Sequence, residues 1–409
     1  MIIISAAILF YAIFKLRNSS GFDGVFVSAA LFFVFVFYLY PLWVIERDGG
    51  YSIRTWNEVG ESEIYYCLIG LLVFVLGFSV SGPFMKSRVE IDSRGGEDRV
   101  LRTKLFFPIF AVVVAFYFWE LLDPSRAASA YAARRGELQV GRGAFLLSIV
   151  AALMKFYILL ILIESRKKIV FWWVWGLFIV AALTTATGRM SLLILFMVAA
   201  VYIFFKRPAK IYIFAVFLFP FLVPILVNMK SIIYEVAYLN VVPDFHKYYF
   251  SPLTSATVVN NFGHPVYSFI ERESLVDLVG YRFFYDFIHG FLFYLRVFGV
   301  GVGDSLIYFN TEAIIGRRES IIPTGYLAFG YVQLSYLGIF FSGVFYRALG
   351  FFVGRMLKFS RLRSPVAIYY FATMSAFSFY HGEVRVIVMT LIFPVVLVSI
   401  ISRCSFSVR

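Results

Sequence analysis

Four short stretches of this sequence place side chains where they could do chemistry together. The first is YRFFYDFIHGFLFYLRVFGV, residues 281–300, where Arg282, Asp286, His289 and Arg296 stand among Phe, Tyr, Leu, Val and Ile. At about 100° per residue in a helix, these four fall within an arc of about 80°. A narrow titratable stripe on an otherwise greasy helix predicts a site wall. Asp286 or His289 would serve as a proton acceptor beside guanidinium groups that bind phosphate. The plainer reading is a self-satisfied Arg–Asp–His–Arg ladder with a structural role. The second stretch is YHGEVR at 380–385, which sets His381, Glu383 and Arg385 in one turn, expected at the outer surface. The third is TTATGRMSLL at 184–193, with Arg189 after Gly188. The fourth is SAYAARRGELQVGRGAFLL at 129–147, with Arg134 and Arg135 adjacent and Arg142 between two glycines that permit close backbone approach. For the last three the plainer readings are a simple turn, a snorkelling helix end and a flexible connector.

The elements that must position these residues are membrane helices. The chain has 409 residues, 61% hydrophobic and only 15% charged, where a soluble globule carries roughly a quarter charged residues. The apolar residues fall in blocks of about 18–22, the length a helix needs to cross ~30 Å of hydrocarbon. An uncleaved first helix at the N-terminus and spans near 24–45, 63–84, 105–122, 143–164, 169–187, 190–205, 211–229, 335–357, 365–380 and 385–402 make about eleven. The expectation is an all-α polytopic bundle in three parts: an eight-span bundle over 1–229, an outer segment over 230–330, and a three-span bundle over 331–409. Lys- and Arg-rich loops at 86–104, 165–168, 206–210 and 355–363 belong in the cytoplasm by the positive-inside rule. The four chemical stretches then face outward. A full span at 283–300 would invert everything after it, so that segment is read as a re-entrant or surface-lying helix. Lys155 and Arg347 fall mid-span, with partners that sequence does not name.

The positive-inside rule predicts few basic residues outside, yet this map leaves fifteen there. Arg47, Arg54, Arg126, Arg134, Arg135, Arg142, Arg189, Lys230, Lys247, Arg272, Arg282, Arg296, Arg317, Arg318 and Arg385 all lie there, and all but two are arginine. A guanidinium is a planar fork suited to bidentate phosphate or carboxylate binding, and topology alone has no need of Arg over Lys. A salt-bridged solvated rim is the plainer account of any one of them. As a set they predict a polyanionic ligand, for which a lipid-linked pyrophosphate fits. Two cysteines, Cys67 and Cys404, make no disulfide framework and no metal spacing. No DxD or His-rich metal pattern stands out, Glu46 and Asp48 in ERDGG being the nearest case. Neither a metal, a cofactor nor a nucleic-acid partner is expected.

In this layout the chain resembles the Wzy-type polymerases of bacterial O-antigen and related surface polysaccharides. The likeness rests on YAARRGELQVGRGAF entering a span, ATGRMSLL at a paired-helix turn, TGYLAFGYVQLSYLGIFFSG after a long outer segment, and HGEVRVIVMTLIFPVV before the last span. It covers most of the chain as an arrangement and supplies no invariant motif. The resemblance implies joining of undecaprenyl-pyrophosphate-linked oligosaccharide repeat units at the periplasmic face of the inner membrane, with release of lipid pyrophosphate. It also implies a chain-length regulator as partner. On that reading Arg189, Asp286, His289 and Glu383 are the catalytic candidates, with Glu319 a further candidate base. Arg134, Arg135, Arg142, Arg282, Arg296, Arg317, Arg318 and Arg385 would hold the pyrophosphate. An O-antigen ligase shares this architecture. A lipid-linked oligosaccharide flippase is a third reading, disfavoured because no internal repeat is visible.

Overall fold

The computed structural model of the chain describes residues 21–48, 51–52, 58–85, 208–238, 242, 244–250, 254–292, 305–316, 322–360, 365–396 and 399–400. The regular elements among the described residues are helices, apart from one ribbon of two two-residue strands, β1 (Tyr51–Ser52) and β2 (Glu58–Val59). In order the helices are α1 (Gly21–Arg47), α2 (Glu61–Ser81), α3 (Pro208–Tyr238), α4 (Phe245–Tyr249), α5 (Ser255–Phe262), α6 (His264–Ile270) and α7 (Arg272–Val279). They continue with α8 (Tyr285–Leu292), α9 (Leu306–Ile315), α10 (Gly325–Phe359), α11 (Pro365–His381) and α12 (Val384–Ile387), the last running on into a π turn at Val388–Ile392. Among them α1, α2 and α10 are long and apolar enough to cross a membrane. The predicted spans at 105–122, 143–164, 169–187 and 190–205, and the N-terminal one, lie outside the described residues.

The surfaces of these helices are those of a protein in an apolar solvent. On α2 one face buries Ile64, Cys67, Leu68, Leu71 and Phe74, while Tyr65, Tyr66, Ile69, Leu72, Leu76 and Val80 are exposed. On α3, Tyr212, Phe219, Val223 and Val227 are buried, and Phe214, Phe217, Phe221 and Ile225 are exposed at helical spacing. In water such continuous apolar stripes would be a large exposed patch; in lipid they need no partner. With apolar residues on both sides, the buried face is chosen by close packing and not by hydrophobicity. Gly77 lies against the Phe340 carbonyl and Gly343 against the Phe74 carbonyl, so α2 and α10 meet backbone to backbone.

The two ends of the sequence interleave. Helix α11 packs along α1, and α10 along α2. Their rings form one buried cluster of Phe26, Phe74, Tyr326, Tyr346 and Phe379. Helix α3 continues unbroken across the expected boundary at 229/230. The pair Arg347–Asp23, 2.7 Å apart, ties α10 to the first turn of α1 and supplies the partner that sequence left unnamed.

Helix α10 is two helices. Leu334 (φ −164°, ψ 48°) and Ser335 (φ 51°, ψ −144°) break it. In a continuous helix Gly330 and Gly338 would stand about 12 Å apart; instead each backbone touches the other. Residues 325–333 therefore form a half-helix folded back on 336–359. Every one of its side chains is buried. The break matches the expected start of a span near 335, and the boundary drawn at 331 falls inside the half-helix. Side chains of the outer segment anchor its entry: Ser268 Oγ donates to the Pro323 carbonyl and Asn310 Nδ2 to the Ile322 carbonyl, both at 2.9 Å. Thr324 Oγ1 donates to the His381 carbonyl at 3.0 Å.

Candidate functional site

Four chain segments converge on one buried polar cluster. The half-helix brings Gln333 at its C-terminal end, the segment before α8 brings Arg282 and α8 brings Asp286, the start of α9 brings Ser305, and the turn into α12 brings Glu383 with Arg385 on α12 itself. The end of the half-helix exposes carbonyls that no further helical turn can satisfy. The backbone N–H of Arg282 donates to the Val332 carbonyl and that of Phe283 to the Gln333 carbonyl, both at 3.0 Å. To reach them Phe283 and Phe284 take φ of 45° and 64°. With Ser335, these are the three described non-glycine residues of positive φ, and all three sit at this junction. Such backbone costs of order 1–3 kcal/mol per residue and persists only where surroundings over-determine it.

Asp286 is 7% exposed. Its Oδ2 accepts from Arg282 Nε at 2.7 Å and from Gln333 Nε2 at 2.9 Å. One turn later Gly290 allows α8 to lie on α12: a Cβ there would fall 2.7 Å from Val384 Cβ and 2.9 Å from the Arg385 nitrogen. That close crossing brings Asp286 near Glu383. The turn itself depends on Gly382 at φ 67°, whose backbone abuts the Gly325 carbonyl. Glu383 is buried; Ser305 Oγ donates to its Oε1, and Arg385 Nε stands 3.4 Å from the same oxygen. Burial pushes the Glu383 carboxyl above its ordinary range, opposed by the Arg385 charge and the Ser305 hydrogen bond and reinforced by Asp286. Glu383 Oε2 and Gln333 Oε1 are buried with no hydrogen-bond partner.

Several expectations change. The stripe on 281–300 does not form as drawn, because Arg282 precedes α8 with non-helical backbone between. The Arg282–Asp286 pair forms all the same. His289 is on α8 but stacks on Tyr285, ring centroids 3.7 Å apart, with its Nδ1 buried and unpartnered. The apolar face of α8 does not pack wholly inward: Ile288, Phe291 and Leu292 are exposed. The turn at 380–385 is not open to solvent: α8, the start of α9 and the half-helix cover it. Arg272 is also buried, its guanidinium 5.0 Å from the Tyr66 ring, 4.9 Å from Phe269 and 5.3 Å from Tyr331. Arg47 pairs with Asp48 at 2.7 Å. Arg134, Arg135, Arg142, Arg189, Arg296, Arg317, Arg318 and Glu319 lie outside the described residues. No group of three or more metal-ligating side chains occurs among the described residues.

Sequence reasoning missed Gln333 and Ser305. Gln333 carried a signal, as the one amide in the apolar run TGYLAFGYVQLSYLGIFF. Ser305 reads only as a helix N-cap, a role it also fills by accepting from Ile307 N at 3.4 Å. The arrangement can hold a proton on a buried carboxyl group and orient a second carboxylate beside it. No protein-family model, no curated protein and no solved structure matches the chain.

Proposed function

We propose that this chain is a membrane glycosyltransferase that polymerises oligosaccharide repeat units carried on undecaprenyl pyrophosphate, at the outer face of a bacterial inner membrane. The observation that carries the reading is Glu383: a carboxyl group buried beneath a re-entrant half-helix, with burial raising its proton affinity. The resemblance to Wzy-type polymerases supplies the reaction class, and the lipid-facing stripes of α2 and α3 fit a lipid-borne substrate. In the reaction a hydroxyl oxygen of the incoming unit attacks the anomeric carbon of the growing chain. The bond from that carbon to the pyrophosphate oxygen breaks, and its electron pair leaves with the lipid pyrophosphate. Glu383, as carboxylate, takes the hydroxyl proton and later releases it to solvent or to the leaving group. Asp286, fixed by Arg282 and Gln333, keeps negative charge beside it and raises its basicity.

The test is replacement of the chromosomal gene by the Glu383→Gln variant, with surface glycan resolved by length. Loss of every band above the single repeat, with normal membrane insertion, is the expected result. A wild-type ladder would remove Glu383 from the chemistry. Complete absence of attached glycan, single repeats included, would point instead to a ligase.

A further inference from the structure

Two unmatched acceptors in the buried cluster bear on what it can receive. Four donors converge on two of its oxygens: Arg282 Nε and Gln333 Nε2 on Asp286 Oδ2, Ser305 Oγ and Arg385 Nε on Glu383 Oε1. Two buried acceptors are left over, Gln333 Oε1 and Glu383 Oε2. Gln333 is fully buried and Glu383 is 4% exposed. Formal charge balances as well, since Arg282 and Arg385 face Asp286 and Glu383. A phosphate or pyrophosphate brings acceptors and negative charge and has no donor for either of these two oxygens. A hydroxyl brings a donor.

We propose that this cluster is a subsite for sugar hydroxyls, in which Gln333 Oε1 and Glu383 Oε2 accept hydrogen bonds from hydroxyls of the incoming unit. This rests on the reading of the chain as a glycan polymerase and assigns one side of that site. Gln333 is a substrate-contacting residue and ties the subsite to the half-helix break, because its amide spans Asp286 and the ligand. Arg282 and Arg385 are positioning residues for the two carboxylates and do not hold pyrophosphate. The pyrophosphate falls to other basic groups. Leaving a buried acceptor without its donor costs a binding site about ten-fold or more in affinity.

The experiment measures binding to the full-length protein in lipid nanodiscs. The probes are undecaprenyl pyrophosphate carrying the host's own repeat unit, and undecaprenyl pyrophosphate without sugar. Wild type is expected to prefer the sugar-bearing lipid by about ten-fold or more. Gln333→Leu and the near-isosteric Glu383→Gln should each erase that preference, while affinity for the bare lipid stays within about two-fold. Retained affinity for the bare lipid also shows that each variant is folded. Arg282→Lys should keep bare-lipid binding. If both Gln333→Leu and Glu383→Gln keep the wild-type preference, the hydroxyl subsite is wrong and the polymerase reading stands. If Arg282→Lys loses bare-lipid binding, Arg282 belongs to the pyrophosphate site and the assignment is overturned. If wild type binds neither lipid, the polymerase reading fails and the subsite fails with it.

Discussion

Two of the charged clusters buried among the described residues are built on different principles. Arg347 and Asp23 form a one-to-one ion pair between α10 and α1, with the guanidinium also 5.3 Å from the Phe78 ring. The backbone on both sides is regular helix. The cluster around Asp286 and Glu383 joins four segments, includes an amide and a hydroxyl, and stands at the one place where described non-glycine residues take positive φ. The first joins two helices through regular backbone and leaves two buried guanidinium donors, Arg347 Nε and Nη1, without hydrogen-bond partners. The second is held in strained backbone by its own hydrogen bonds and keeps unmatched acceptors. Removing part of the first should cost stability; removing part of the second should cost function.

The largest expected effect is on the second cluster. Glu383→Gln should lower chain elongation by about 10²–10⁴-fold, the usual contribution of a positioned base, with little change in thermal stability in detergent. A comparable loss from Arg347→Leu in correctly inserted protein would erase the contrast.

Next comes the first cluster. Arg347→Leu leaves the Asp23 charge without its partner and should destabilise the fold by about 3–5 kcal/mol, read as a lowered melting temperature. The double variant Arg347→Leu/Asp23→Leu should recover most of that loss, because no uncompensated charge remains. Failure to recover would mean that the pair does more than neutralise itself.

A smaller effect concerns pH. The folded state raises the Glu383 pKa above the ordinary value of 4.5, so the fold binds that proton more tightly than the unfolded chain does. Its contribution to stability is complete below the unfolded value and is lost as pH rises through the folded one. Wild type should therefore lose melting temperature relative to Glu383→Gln as pH is raised from about 4 across that window. Parallel curves for the two proteins would contradict the burial of Glu383.

The smallest effect tests the strained junction. Ser335→Gly removes a Cβ from a backbone of φ 51° and ψ −144°. The relief, less the entropy glycine adds to the unfolded chain, should give a gain of up to about 1 kcal/mol. Destabilisation by that substitution would show that the Ser335 side chain contributes more than its backbone costs.

The legibility of the sequence varied with the range of the interaction concerned. Spans at 24–45, 63–84 and 335–357 could be read because hydrophobic length is local, and the helices stand within a few residues of those limits. Asp286 and Glu383 could be singled out as acids in apolar surroundings. Their proximity could not, since it depends on Gly290 and Val384 touching across almost a hundred residues. The helical stripe failed at Arg282 because periodicity assumes regular backbone, and the chain there bends to cap the half-helix. The turn at 380–385 was placed at the outer side by the run of spans and basic loops around it, which says nothing of what covers it. The roof of α8, α9 and the half-helix is tertiary and leaves no local trace.

Read as residue types alone, this chain is a set of helices suited to an apolar solvent, carrying a few charged groups that such a solvent penalises. Composition and run length decide that, because the cost of a polar or charged group in lipid is paid residue by residue. Which charges neutralise one another is a matter of packing between distant segments. Arg347 found Asp23, Arg282 found Asp286, and Arg385 stands beside Glu383, pairings that follow from backbone approach at glycines and from a broken helix. Which acceptors remain unmatched follows only after those pairs are made, so the candidate site was readable as a set of residue types and not as a geometry.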